Sequence, residues 1–116
     1  DRKPLNGSRI LVLGAAYKPD IGDTRESPAM EIISILQHKG SEVIVYDPYV
    51  SELKIEGATV SVLDHPDDAA LKLADAVLIL ANHKIFDYER IGRCADIIID
   101  TRNAMKGIRT RKVYKL

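Results

Sequence analysis

Residues 10–28 read I-L-V-L-G-A-A-Y-K-P-D-I-G-D-T-R-E-S-P, and their reading decides the fold. The apolar, branched run from Ile10 to Leu13 stops at Gly14. A polar loop follows, carrying Lys18, Asp20, Asp23, Thr24, Arg25 and Glu26, and Ser27-Pro28 then opens a helix. Strand, polar loop and helix N-terminus is how an α/β domain assembles an anion site at the carboxyl end of a strand. Lys18 precedes Pro19, which pushes its backbone towards extended geometry. Gly22 permits a tight or left-handed turn among the acids. Ser27 suits the N-cap and Pro28 the first helical position. Met30 stands where a capping box would need Glu or Gln. From spacing alone a second reading stays open: a salt-bridged surface loop in which Asp20, Asp23 and Glu26 neutralise Lys18 and Arg25.

Outward from this stretch, the chain alternates. Ala29, Ile32, Ile33 and Leu36 mark the buried face of a helix from Pro28 to Lys39, which Gly40 stops. Glu42–Asp47 is a strand closed by Pro48, and residues 49–57 read as a polar connection. Thr59–Leu63 is a short strand. Asp64 is expected to cap a helix starting near Pro66, with Ala69, Ala70, Leu73 and Ala74 on its buried side. Ala76–Ala81 is a wholly apolar strand, Phe86–Arg93 a short helix and Ile97–Asp100 a strand. Such alternation predicts an α/β fold: a Rossmann-like, doubly wound parallel sheet of about five strands with helices on both faces. The first strand is expected beside both the second and the Ala76–Ala81 strand, with a crevice where the chain reverses direction across the sheet.

Composition narrows the function. The 116 residues, 46% hydrophobic and 29% charged, suit one globular domain. Residues 1–8, polar with Pro4 and Gly7, read as a linker from a missing upstream region, and residues 9–116 as the domain. Seventeen basic and seventeen acidic residues cancel, which argues against a general nucleic-acid or membrane-surface binder. There is no apolar run of membrane-spanning length and no signal-peptide pattern. A single cysteine excludes an internal disulfide and fits a reducing compartment, so a cytoplasmic location is expected.

The phosphate-cradling motifs are missing. Gly14 is followed by Ala15, Ala16 and Tyr17, so the loop is not the G-x-G-x-x-G of a dinucleotide site, and no P-loop is present. The stretch G-A-A-Y-K-P-D-I-G-D-T-R-E-S-P-A nevertheless closely resembles the signature of the UDP-glucose/GDP-mannose dehydrogenase family, in its C-terminal, UDP-binding domain. Val45-Tyr46-Asp47-Pro48 and Asp100-Thr101-Arg102-Asn103 resemble the family too, so the likeness covers nearly the whole chain up to Met105. It implies the UDP-sugar-binding domain of an NAD-dependent enzyme of polysaccharide biosynthesis that oxidises a sugar C6 alcohol to a carboxylate. Tyr17, Lys18, Pro19, Asp20, Ile21, Gly22, Asp23, Thr24 and Arg102 are then the UDP-sugar contacts. Arg25 is then a contact to NAD, held mainly by an N-terminal domain. The implied partners are that domain, a central domain and, in the full-length protein, a second copy in a homodimer or larger assembly. The implied nucleophilic cysteine lies in an upstream Gly-rich motif, so this chain alone is expected to be non-catalytic. UDP-glucose and UDP-N-acetylhexosamines all remain open as the sugar.

The other chemistry-bearing residues read more plainly. Cys94, just before a strand, is expected to be a small structural thiol. His38, His65 and His83 lack metal-ligand spacing. His38 suits a helix C-terminus, and the role of His83, after a central strand, stays open. The basic residues from Arg102 onward read as a solvated edge. Two rival functions remain: a phosphoacceptor receiver domain with Asp47 at a strand end, and a protein-interaction module without ligand.

Overall fold

The run that opens the chain forms β1, Arg9–Leu13, in the middle of the sheet. The computed structural model describes residues 7–15, 28–108 and 113–115. Side chains of β1 alternate between two cores. Leu11 and Leu13 join one cluster, with Tyr46, Leu71, Val77, Ile79, Phe86, Ile91 and Ile98. Ile10 and Val12 join the other, with Ala29, Ile33, Val45, Val62 and Leu78. A strand buried on both faces must be apolar at every position, which is why no alternation shows in the sequence.

Two helices cover the first core and one the second. α1, Ala29–His38, buries Ala29 and Ile33. Its end follows from Gly40, at φ 89°. Gly40 N–H bonds the Gln37 carbonyl at 3.0 Å and Ser41 N–H that of Leu36 at 3.1 Å, a Schellman closure. Pro28, at φ −72° and ψ −9°, is the N-cap, so the helix starts one residue later than expected; Ser27 lies outside the described residues. α2, Asp68–Leu73, is capped by Asp67 rather than Asp64, through an Ala70 N–H bond of 2.8 Å. Its buried residue is Leu71, while Ala69 and Leu73 are exposed. Ala70 is half-buried and Ala74 buried, so two of the four expected inner positions face the core and two do not. α3, Tyr88–Cys94, is capped by Asp87.

The remaining strands are β2, Glu42–Tyr46; β3, Glu52–Ile55; β4, Ala58–Leu63; β5, Ala76–Ile79; β6, Ile98–Asp100; and β7, Val113–Lys115. The described residues form one seven-stranded sheet in the order β3-β4-β2-β1-β5-β6-β7. All pairings are parallel except that of β3 with β4. Omitting β3, this is the Rossmann order. β1 sits between β2 and β5 as expected, and Leu13 pairs with both Tyr46 and Ile79.

Two strands were not read from the sequence. β3 lies within the supposed polar connection, because Leu53 and Ile55 alternate with exposed Glu52 and Lys54. Its turn into β4 places Glu56 at φ 51° and Gly57 at φ 82°. β7 lies in the basic tail taken for a solvated edge and adds a sixth parallel strand beside β6.

Candidate functional site

The sheet reverses its winding between β1 and β5, and the chain segments leaving β1, β2 and β5 meet there. Leu80 N–H bonds the Leu13 carbonyl at 2.9 Å and Gly14 N–H bonds that of Tyr46 at 2.8 Å. Gly14 stands at φ +101°, and a Cβ added to it would lie 2.6 Å from both the Cβ and the backbone nitrogen of Ala81. Only glycine lets the chain turn out of β1 this close to the strand beside it. Ala15, wholly buried, then enters the loop.

Asp47 ties these exits together. Its Oδ2 accepts the Ala15 N–H at 2.8 Å and lies 2.9 Å from His83 Nε2. Its Oδ1 accepts the Tyr49 N–H at 2.8 Å. Both side chains are 0% exposed. An ionised carboxylate only accepts, so Nε2 carries the proton in this bond. His83 is fixed in turn: its carbonyl accepts the Phe86 N–H and the Tyr88 hydroxyl, each at 3.1 Å. The ring of Tyr49 stands edge-on to the imidazole at 4.9 Å, and Phe86 lies at 5.9 Å. Beside this cluster, burial and then the Asp67 carboxylate push the Tyr46 phenol above its ordinary value. The sequence hinted at Asp47 through the V-Y-D-P stretch and at His83 through its place after a central strand. It did not show that the two are partners, because they are 36 residues apart.

A second buried carboxylate shapes the loop after β6. Asp100 Oδ1 accepts the N–H groups of Arg102 at 3.0 Å and Ala104 at 3.1 Å, and Oδ2 accepts that of Met105 at 2.8 Å. Thr101 Oγ1 donates to the Ile79 carbonyl at 2.7 Å, stitching the loop to β5. Asn103 adopts φ 58°, which asparagine tolerates. The loop so held leaves Arg102 exposed beyond the carboxyl end of β6. Of the expected UDP-sugar contacts, only Arg102 is among the described residues; Tyr17, Lys18, Pro19, Asp20, Ile21, Gly22, Asp23 and Thr24 lie outside them, as does Arg25. What the structure does place are the two anchors of that loop, Ala15 at its start and Pro28 at its end.

The described residues do not fit a dinucleotide at the end of β1. A pyrophosphate needs open backbone where side chains would intrude, and here the space beside Gly14 is taken by Ala81. Nor does Asp47 fit a phosphoacceptor, since its carboxylate is buried and both oxygens are engaged. Among the described residues no group of three His, Cys, Asp or Glu could hold a metal ion, and no helix is long and apolar enough to cross a membrane. Cys94, half-buried at the end of α3, packs against the first core. His38 ends α1 as expected and bonds Glu56 at 2.9 Å. His65 stands edge-on to Phe86.

Comparison with known proteins agrees with this geometry. Residues 11–107 match the model of the UDP-binding domain of the UDP-glucose/GDP-mannose dehydrogenase family. The chain is 38% identical over 102 residues to a UDP-N-acetyl-D-mannosamine dehydrogenase of Pyrococcus horikoshii, covering 84% of this chain and 22% of that protein. It is 35% identical over 107 residues to a UDP-glucose 6-dehydrogenase of Rhizobium meliloti, covering 85% and 24%. The solved UDP-D-ManNAc dehydrogenase of Pyrococcus horikoshii superposes with a TM-score of 0.67 at 34% identity, over 97% of this chain and 25% of that one. An NDP-N-acetyl-D-galactosaminuronic acid dehydrogenase of Methanosarcina mazei gives 0.72 at 25% identity, over 98% and 25%. This chain thus spans about a quarter of the length of such relatives. With the Rossmann order, the glycine exit from β1 and the Asp100-held arginine loop in place, the chain belongs to the UDP-glucose/GDP-mannose dehydrogenase family, as its UDP-binding domain.

Proposed function

We propose that this chain holds the nucleotide-sugar substrate of an NAD-dependent UDP-sugar 6-dehydrogenase, with Lys18 and Arg102 on the diphosphate and residues 17–24 lining the site. The observation that supports it most is the loop after β6. Three backbone N–H groups converge on buried Asp100, so Arg102 is offered to solvent from a fixed backbone at the carboxyl end of the sheet. A guanidinium so placed can grip a phosphate through two parallel hydrogen bonds, which a lysine cannot. Lys18 would add a point charge to the same phosphates. Arg25 then reaches NAD held mainly by another domain of the same enzyme, in keeping with the unsuited β1 exit described above. The protein this domain serves would act off the membrane, in the cytoplasm, as a homodimer or larger assembly, in the making of polysaccharides. The polar linker before residue 9 would join its other domains.

Titration of UDP into this chain, followed by backbone amide shifts, tests the reading. Binding near the millimolar range, about −4 kcal/mol, is expected for a site missing part of its walls, and it should weaken with salt. Arg102→Ala should cost about 1.5–3 kcal/mol, and Arg102→Lys should restore only part of that. Unchanged affinity in Arg102→Ala, or shifts confined to residues far from 16–27 and 101–105, would show the nucleotide site to be elsewhere.

A further inference from the structure

The Asp47–His83 pair is not used by any contact proposed above, yet both side chains are wholly buried. Such burial is costly unless every polar atom is engaged. A simpler core would replace both residues with apolar ones at little loss. What the pair does that apolar residues could not is grip a backbone. Asp47 Oδ2 is shared between His83 Nε2 and the Ala15 N–H, and Ala15 is the last described residue before the loop of residues 16–27. The His83 backbone is itself held by the Phe86 N–H and the Tyr88 hydroxyl on its carbonyl, and its ring packs edge-on against that of Tyr49. The same shared oxygen therefore fixes the start of the loop to β2 and to the segment leaving β5.

We propose that Asp47 and His83 are a positioning pair for the nucleotide-sugar loop: His83 orients the Asp47 carboxylate, which pins Ala15 and so sets where the loop leaves β1. This rests on the substrate reading above. Neither side chain reaches solvent, and the Ala15 N–H on Asp47 Oδ2 gives the pair a direct grip on the backbone that leads into residues 16–27. The same arrangement lets the strand ends keep their register whatever occupies the loop, because Gly14 and Leu80 are held by their own backbone bonds.

The test compares His83→Gln and His83→Phe in this chain. The glutamine amide can place an N–H donor where Nε2 stands; the phenylalanine fills the space without one. Hydrogen exchange at the Ala15 amide, UDP affinity and melting temperature are read for each. His83→Phe should expose the Ala15 amide to faster exchange and weaken UDP about tenfold, the scale of one buried hydrogen bond to a charged group. His83→Gln should recover both together, even where the melting temperature remains lowered. A purely structural histidine would instead lower the melting temperature in both variants and leave UDP affinity at the parent value in the folded fraction; that result overturns the proposal. So does equal loss of UDP in both variants with Ala15 exchange unchanged. Failure of the parent chain to bind UDP at all would be a different outcome, removing the substrate reading and this proposal with it.

Discussion

Asp47 and Asp100 invite comparison. Each follows or ends a parallel strand, each is buried, and each carboxylate bonds at least three partners. Their partners differ. Asp100 bonds residues two, four and five positions on. It folds its own loop, as aspartates do in turns. Asp47 bonds Tyr49 nearby but also Ala15, 32 residues back, and His83, 36 residues on. It joins three strand exits. The same chemical group thus serves as a local turn former at one strand end and as a tertiary clasp at another. The clasp stands at the point where the sheet reverses, which is where an α/β domain places its ligand.

The largest effect is expected where the clasp has no freedom. Gly14→Ala puts a Cβ 2.6 Å from backbone and side-chain atoms of Ala81 at φ +101°. Overpacking and backbone strain together should cost about 2–5 kcal/mol, measured by urea unfolding. A loss below about 1 kcal/mol would mean that β1 and β5 separate easily there, and the clasp would then be holding little.

The two aspartates themselves come next. Asp47→Ala strands a buried imidazole and two N–H groups, and should cost about 3–5 kcal/mol. Asp100→Ala frees N–H groups in a loop whose neighbours Arg102 and Asn103 already meet solvent, so about 1–3 kcal/mol is expected. Hydrogen exchange separates them further. Asp100→Ala should speed exchange at Arg102, Ala104 and Met105 alone, whereas Asp47→Ala should speed it at Ala15 and Tyr49, on two different strand exits. Equal losses with equally local exchange patterns would break the comparison.

This difference also explains what could be read from the sequence. The strand end at Asp100 was legible from its apolar run and D-T-R-N from resemblance, but the turn that Asp100 folds was not read, although its bonds are local. β1 and β5 were legible because burial on both faces leaves runs of apolar residues. The first helix was legible from its apolar spacing and Gly40. β3 was not, since a four-residue edge strand with two charged positions resembles a loop until its partner is known. The cap of α2 was misplaced among three aspartates, Asp64, Asp67 and Asp68, that the sequence does not rank. His83 was visible as a residue but not as a partner of Asp47, because nothing local links residues 36 positions apart. Residues 17–25 carried the family likeness, which the match over residues 11–107 bears out; their roles rest on the resemblance, since they lie outside the described residues.

A third carboxylate sharpens the comparison from the exposed side. Glu56, at the β3–β4 turn, meets His38 at the end of α1, with both side chains more than half exposed. Hydrogen bonds from His38 first and Ser34 next hold its carboxyl below the ordinary 4.5. A carboxylate with a lowered folded-state pKa contributes stability above its unfolded value. That contribution is lost as pH falls through the folded value. Glu56→Gln should therefore lower the melting temperature slightly at neutral pH, and the difference from the parent should fade as the pH drops below 4.5. Added salt should shrink it as well, because an exposed ion pair is screened. If geometry and charge alone set the worth of a carboxylate, Glu56→Gln would rival Asp47→Ala in thermal melts at neutral pH. A barely measurable, salt-sensitive effect would instead show that burial and the partners left stranded separate the two. A loss as large as that of Asp47→Ala would mean that the β3–β4 turn and α1 form a second clasp, and that the strand exits are not where this fold is most tightly tied.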